Sequence, residues 1–234
     1  MILNMTMAQE QQQQASRAPD VETKTKYGAP IDYTFSKPAS EERIQRTAKA
    51  LKKRGFTVEV VDSPEDARAF VRDILPHDKT IFTALSETVR LSGLGQDING
   101  PESSLISLRK ELDKMDPVKQ FRERVKLGAA PDVVVGSVHA ITESGRVLVG
   151  SGSGNQLGPY AASAEKVIWL VGSQKIVPDF EAGMRRLEMY SYPLEDIRMH
   201  EAFGRGSFLA KVLVMNADRP GRITIVLIRQ AIGF

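Results

Sequence analysis

The sequence contains no cysteine among its 234 residues. This absence excludes disulfide bonds, thiolate catalysis and any iron–sulfur cluster held by cysteines of this chain. Because disulfide bonds are typical of oxidising compartments, a chain without cysteine fits the cytoplasm, and a cytoplasmic location is what we expect.

Long apolar runs and clustered charge are also missing. No apolar run approaches the roughly 18 residues that a membrane span requires, so we expect no membrane partner. The net charge is only +3, with basic and acidic residues interspersed, and without a polybasic face we expect no nucleic-acid partner. The histidines, His77, His139 and His200, lack the spacing of metal ligands, so the sequence predicts no metal site.

What is present divides the chain into a tail and one domain. Residues 1–38 contain a glutamine tract at positions 11–14 and several prolines, a composition typical of disorder. The same tail carries apolar side chains that favour docking on the domain or on a neighbour, including a second copy in a homo-oligomer: Tyr27, Ile31, Tyr33 and Phe35. Both interpretations stay open, and residues 39–234 are predicted to form the domain.

Strand and helix signals alternate through residues 39–234. Residues 133–135, 146–149 and 166–171 are apolar runs, as in strands buried on both faces. The pattern predicts a layered α/β fold with a mostly parallel mixed sheet and helices on both faces.

Two local predictions concern the middle and the end of the chain. Asp116 and Pro117 predict a helix start, with an inner face formed by Val118, Phe121, Val125 and Leu127. Residues 208–215 and 223–228, separated by a turn at residues 218–221, predict a closing C-terminal strand pair.

A glycine-rich loop at residues 150–156 follows one apolar strand. Its spacing matches neither a P-loop nor a dinucleotide fingerprint. Gly152 and Gly154, with Ser151, Ser153 and Asn155, are suited to hold a phosphate or another anion through backbone N–H groups. A tight turn that needs glycine for its backbone conformation explains the same pattern, and both interpretations remain open.

Glu143 is the candidate catalytic residue. It precedes Ser144 and Gly145 in a connection between two predicted strands, where a carboxylate is placed to act as a nucleophile or general base. An exposed turn glutamate is the competing interpretation. A triad of Ser137, His139 and Glu143 is not favoured, because the sequence has no nucleophile elbow and one connection seldom brings three such side chains together.

Other polar residues follow predicted strands or open predicted helices. Lys175 comes just after a strand, where a cation faces a ligand in the crevice of an α/β sheet. Ser86 and Thr88 open a predicted helix and offer hydroxyl and N–H donors to the same crevice. A solvated loop lysine and an ordinary helix cap are the alternatives.

The ordered set of these motifs resembles the LUD family of LutC-type lactate-utilisation proteins. The match runs over residues 131–190 and is weaker from 40 to 130. The motifs are Thr142-Glu143-Ser144-Gly145, Gly152-Ser153-Gly154-Asn155, residues 171–179, and Ser86-x-Thr88 followed by Gly93-Leu94. One departure is Gln156, where family members often place an arginine; a neutral amide lacks the charge that an arginine offers to an anion.

The resemblance implies a fold similar to the ribose-phosphate isomerase, glucosamine-phosphate deaminase and CoA-transferase superfamily, with ligands at the carboxyl ends of parallel strands. It also implies a role in L-lactate oxidation beside partner subunits that carry iron–sulfur clusters, and this chain holds no cofactor of its own. The expected ligand is a small anion of unknown identity. The residues expected to hold it are Ser86, Thr88, Ser137, Thr142, Gly152, Ser153, Gly154, Asn155 and Lys175.

The preferred hypothesis is an accessory subunit of lactate or other organic-acid utilisation. One alternative is a self-sufficient enzyme acting on a phosphorylated or CoA-linked molecule through Glu143. A second is a non-catalytic sensor of a small ligand.

Overall fold

The computed structural model describes residues 28–234. The glutamine tract at residues 11–14 and Tyr27 lie outside this range, so the prediction of disorder for residues 1–27 is untested. Within residues 28–234, no helix is both long and apolar enough to cross a membrane.

The strands and helices alternate along most of the described chain. The strands are β1 (Thr57–Val61), β2 (Thr80–Thr83), β3 (Ile106–Ser107), β4 (Val133–Gly136), β5 (Ala140–Thr142), β6 (Val147–Ser151), β7 (Lys166–Gly172), β8 (Ile176–Val177), β9 (Lys211–Met215) and β10 (Ile223–Ile228). The helices are α1 (Glu41–Lys53), α2 (Pro64–Ile74), α3 (Glu87–Leu91), α4 (Leu94–Asn99), α5 (Leu108–Lys114), α6 (Phe121–Ala129), α7 (Phe180–Arg186) and α8 (Tyr192–Phe203). Two π-helical segments, Pro159–Ser163 and Leu187–Ser191, and two 3-10 turns, Tyr33–Ser36 and Ser173–Lys175, complete the set.

The first helices begin where the sequence places their caps. Ser40 accepts a hydrogen bond from the backbone N–H of Arg43 at the start of α1. Ser63 and Asp66 form a reciprocal capping box at the start of α2. Each cap satisfies N–H groups that have no partner inside the helix.

Six strands form one parallel sheet in the order β1-β10-β7-β4-β2-β3. One face of this sheet packs on a core that includes Ile44 of α1 and Leu108 of α5. The other face packs on a core that includes Ala67 of α2 and Leu94 of α4. Burial of both faces explains the apolar strand runs and confirms the predicted α/β layers.

The second sheet has the order β8-β5-β6-β9 and mixes parallel and antiparallel pairs. The predicted C-terminal strand pair is wrong in its pairing, because β9 pairs with β6 and β10 lies between β1 and β7. The physical reason is burial: β10 is almost wholly buried, as a central strand must be, whereas most of β9 remains accessible.

The predicted inner face of the helix at residues 116–129 is also wrong. The helix begins at Phe121, because the Asp116 carboxylate accepts the N–H groups of Val118 and Lys119 in a turn. Val118 is 84% exposed and Phe121 65% exposed, and Val125 also faces solvent. Of the predicted apolar face, only Leu127 packs against the core.

The end of the tail lies against the domain. The backbone N–H of Asp32 donates to the carbonyl of Met189 at 2.7 Å, and the ring of Tyr33 lies edge-on to that of Tyr190. Ile31 is buried, with 5% of its surface exposed. Contact with the domain therefore begins before residue 39.

Candidate functional site

A cavity of about 430 Å³ opens at the carboxyl ends of the parallel strands. Ser86 follows β2, Ser137 follows β4 and Lys175 follows β7, and all three side chains line this cavity. Because parallel strands end at one edge of a sheet, segments distant in sequence meet there. Gly152, Ser153 and Asn155 of the glycine loop line the same cavity.

Lys175 lies at the buried end of the cavity, with 1% of its surface exposed. Its Nζ is 2.9 Å from the Thr88 Oγ1 and 3.0 Å from the Ser137 Oγ. Burial, together with the nearby positive charge of Arg186, holds the pKa of Lys175 well below the usual range. In the described part of the chain, no carboxylate forms a salt bridge with this amine.

Arg186 is a second buried basic side chain, and it lies behind the cavity wall. Its guanidinium donates to the carbonyls of His139 and Gln174 and to the Ser191 hydroxyl. Burial lowers the pKa of Arg186 to about 10. Its Nη2 has no hydrogen-bond partner within residues 28–234. Buried cations without acidic partners are unfavourable unless a ligand or a loss of charge compensates them.

His139 lines the cavity together with Ser137, although the sequence analysis considered it only in a triad with Glu143 that was not favoured. Its Nδ1 accepts the backbone N–H of Gly150 at 3.1 Å. Burial, followed by the charges of Lys175 and Arg186, lowers the pKa of His139 to about 3. The ring is therefore neutral at physiological pH, with its proton on Nε2, because Nδ1 is an acceptor.

The glycine loop folds as a tight turn beside the cavity. Gly154 adopts a φ of +85°, which favours glycine, and its N–H donates to the Ser151 Oγ at 2.8 Å. The side chain of Gln156 binds the Ser151 hydroxyl and the Gly150 carbonyl. Gln156 therefore closes the loop internally, and the loop serves as a turn while every residue of 150–156 except Gly154 lines the cavity.

Glu143 and Thr142 do not line this cavity. The Glu143 carboxylate binds the guanidinium groups of Arg43 and Arg46 at 2.7 and 2.6 Å. Desolvation alone would raise the pKa of Glu143, but the hydrogen bonds from both arginines outweigh it and keep the pKa below the usual range. Thr142 Oγ1 interacts with Ser144 and with the Arg146 N–H within the turn.

The rim of the cavity combines charge with apolar surface. Arg198 binds Glu195 at 2.6 Å and lies 3.9 Å from Glu87. Leu85 and Phe208 are exposed large apolar side chains at the opening. The cavity thus has a polar interior that includes the Lys175 amine, and a rim of charged and apolar side chains.

A model of the LUD domain matches residues 44–228 of the sequence. The chain belongs to the LUD-domain family. The resemblance drawn from its motifs is thereby confirmed, and the match spans both sheets and the cavity-lining turns.

Two solved structures are similar to this LUD-domain chain at low identity. One is a DUF162 family protein from Deinococcus radiodurans, with 11% identity and a TM-score of 0.47 over 82% of this chain and 99% of that chain. The other is eIF2B beta from Chaetomium thermophilum, with 19% identity and a TM-score of 0.33 over 54% of this chain and 43% of that chain. No curated protein matches the sequence.

Proposed function

We propose that this LUD-domain protein binds an organic-acid anion in its cavity and acts in the utilisation of lactate or a related organic acid. The observation that carries the proposal is Lys175, a buried amine that faces the cavity without an acidic partner in the described part of the chain. A carboxylate beside it would favour the ammonium form and compensate its burial.

The surroundings of Lys175 support an anionic ligand. Arg186 adds positive charge behind the wall, and Ser86, Ser153 and Asn155 bring hydroxyl and amide groups to the lining. The cavity volume of about 430 Å³ lies within the range of small-molecule sites. Hydrogen bonds from charged and neutral donors to a carboxylate are among the strong polar interactions of proteins, so this set of groups suits an organic-acid anion.

Calorimetric titration with L-lactate and pyruvate tests the proposal. We expect the wild-type protein to bind at least one of them, and expect L-lactate, which has no ketone carbonyl for the amine to attack, to bind with proton uptake, since a bound carboxylate raises the pKa of Lys175. The Lys175→Met variant is expected to lose this binding, whereas Lys49→Met, at an exposed position of α1, retains it. Absence of binding by the folded wild-type protein, or unchanged binding by Lys175→Met, contradicts the proposal.

We further propose that the protein works as an accessory subunit beside partners that carry iron–sulfur clusters. Membership of the LUD family and the absence of cysteine support this division of labour. Affinity purification from the native host, followed by iron analysis and mass spectrometry, is expected to recover such a partner. Recovery without any iron–sulfur or dehydrogenase partner contradicts the subunit role but not anion binding.

The alternative of a self-sufficient enzyme with Glu143 as base finds no support in the cavity, because Glu143 is paired with Arg43 and Arg46 outside it. A ligand sensor shares the anion-binding site. Ligand binding without turnover or a partner would favour the sensor.

A further inference from the structure

The hydrogen bonds around Lys175 define the state of its amine. Ser137 Oγ donates its proton to the Leu170 carbonyl at 2.6 Å, and Thr88 Oγ1 donates to the Ile232 carbonyl at 3.3 Å. A hydroxyl has one proton to donate. Both hydroxyls must therefore accept hydrogen bonds from the Lys175 Nζ.

The Lys175 nitrogen is tetrahedral, and one of its four directions is the bond to Cε. Two of the other three directions hold N–H groups that donate to Thr88 and Ser137. In a neutral amine the third direction holds a lone pair. In an ammonium it holds an N–H, for which the described residues offer no acceptor in hydrogen-bond range, so the charged form gains no further protein contact. Burial removes water from the charged form, and the nearby guanidinium of Arg186 repels it. Both effects favour the neutral amine.

A desolvated lysine near another cation is a recognised form of activated nucleophile. Lys175 lines the cavity, and the carboxylate that the sequence suggested for this role, Glu143, lies outside it. The free lone pair makes Lys175 a candidate nucleophile in the cavity.

We propose that Lys175 forms an imine with the carbonyl group of a 2-oxo acid bound in the cavity. The lone pair of Nζ attacks the carbonyl carbon to give a carbinolamine. The carbon–oxygen bond then breaks, and the oxygen leaves as water with the two protons that the amine loses. No oxidant or reductant is needed. Addition of water to the imine regenerates the free lysine. Attack on an ester or thioester would instead convert the lysine to a stable amide and inactivate the site.

The inference rests on the proposed function, because the hydroxyl and amide groups of the anion-binding cavity would hold the carboxylate of the oxo acid and leave the amine neutral beside its carbonyl. His139 can orient the reacting oxygen, since its neutral ring lines the same cavity and carries its proton on Nε2. A neutral imidazole can donate a hydrogen bond to the oxygen of the departing hydroxyl.

Borohydride trapping tests the imine. The full-length protein is incubated with pyruvate or with L-lactate, reduced, digested and analysed by mass spectrometry. We expect a reduced pyruvate adduct on Lys175, no adduct with L-lactate, which has no carbonyl on its second carbon, and none at that position in Lys175→Arg. Absence of an adduct on Lys175, or equal labelling of exposed lysines such as Lys49, overturns the inference.

The pH dependence of the trapping rate distinguishes a lysine with a lowered pKa from an ordinary surface lysine. For an ordinary lysine the neutral fraction rises about 100-fold between pH 7 and pH 9. Because the pKa of Lys175 is lowered, its initial trapping rate is expected to rise far less over this interval. An increase equal to that of Lys49 contradicts the proposal. If calorimetry shows that pyruvate binds but no adduct forms, the imine fails and anion binding stands; if neither occurs, both fail.

Discussion

At the scale of single residues, Lys175 carries a penalty that the fold must offset. An amine buried without a carboxylate gives up either its hydration or its proton when the chain folds. Its contacts with Thr88 and Ser137 are two hydrogen bonds to neutral groups, which compensate burial less than an ion pair would. Retention of such a residue is typical of sites where function is favoured over stability.

Replacing Lys175 with methionine should therefore stabilise the protein. We expect Lys175→Met to raise the free energy of unfolding at pH 7 by on the order of 1 kcal/mol. Both hydroxyls keep the carbonyl acceptors that they already have. Wild-type stability should rise with pH between the lowered pKa of folded Lys175 and the ordinary pKa of the unfolded chain, because the unfolded state binds more protons there.

Urea unfolding at pH 7 and at pH 9 measures both effects. The variant should lose the part of the pH dependence that belongs to Lys175, so the stability difference should shrink at the higher pH. A variant that is less stable than wild type at pH 7 would contradict this account of Lys175.

Glu143 provides the opposite case, a carboxylate that stabilises the fold without lining the cavity. We expect Glu143→Gln to lower the free energy of unfolding by about 1 kcal/mol, because it weakens charge-assisted contacts with Arg43 and Arg46. The wild-type contribution should disappear as the pH falls through the lowered pKa of Glu143.

Thermal unfolding between pH 3 and pH 7, with ligand calorimetry at pH 7, checks this prediction. Glu42→Gln serves as a control, since Glu42 is an exposed partner of Arg46, and should change stability by less than about 0.5 kcal/mol. Loss of pyruvate or lactate binding in Glu143→Gln would place Glu143 back among the functional residues.

At the scale of secondary-structure elements, the sequence predicts which strands are buried better than it predicts which strands pair with each other. Apolar runs identify β4 and β7 because strands buried on both faces need them. Strand pairing depends on distant segments, so β9 and β10 could not be assigned to different sheets from their own residues. Likewise, the apolar spacing of α6 indicates a buried face, but most of that face meets solvent.

The same distinction applies to the candidate site. Ser86, Ser137 and Lys175 were predictable because each follows a parallel strand, and such strands end together. His139 follows no recognisable motif, and it lines the cavity because its connection runs to the second sheet. The pairing of Glu143 with α1 joins residues about 100 positions apart, a distance that sequence spacing does not resolve.

The segment before α1 packs on the domain through Ile31 and Tyr33, and its contribution to stability can be tested. We expect Ile31→Ala to lower the free energy of unfolding by about 2 kcal/mol, because it removes buried apolar surface and leaves a cavity. Ile74→Ala, at a position that is 41% exposed, should change it by less than about 0.5 kcal/mol. Urea unfolding of the two variants measures this difference. Equally small losses of stability in both variants would show that burial of Ile31 does not stabilise the fold.

At the scale of the whole molecule, the chain after β10 returns to the cavity. The Gln174 side chain donates to the carbonyls of Ile232 and Gly233 at 2.9 and 3.0 Å. Thr88 donates to the same Ile232 carbonyl while it accepts from Lys175. Phe234 borders the cavity. The C-terminal segment, the 3-10 turn Ser173–Lys175 and α3 therefore meet at the amine.

This convergence predicts that Gln174 controls ligand affinity without contacting the ligand. We expect Gln174→Leu to weaken binding of pyruvate or lactate by roughly tenfold, because it removes two hydrogen bonds that hold residues 232–233 against Thr88. Gln45→Leu, which removes an exposed glutamine that binds Glu41, should leave the affinity unchanged. Calorimetry measures the affinities, and hydrogen exchange of residues 229–234 should increase only in Gln174→Leu. Faster exchange with unchanged affinity would show that the segment packs beside the site without shaping it.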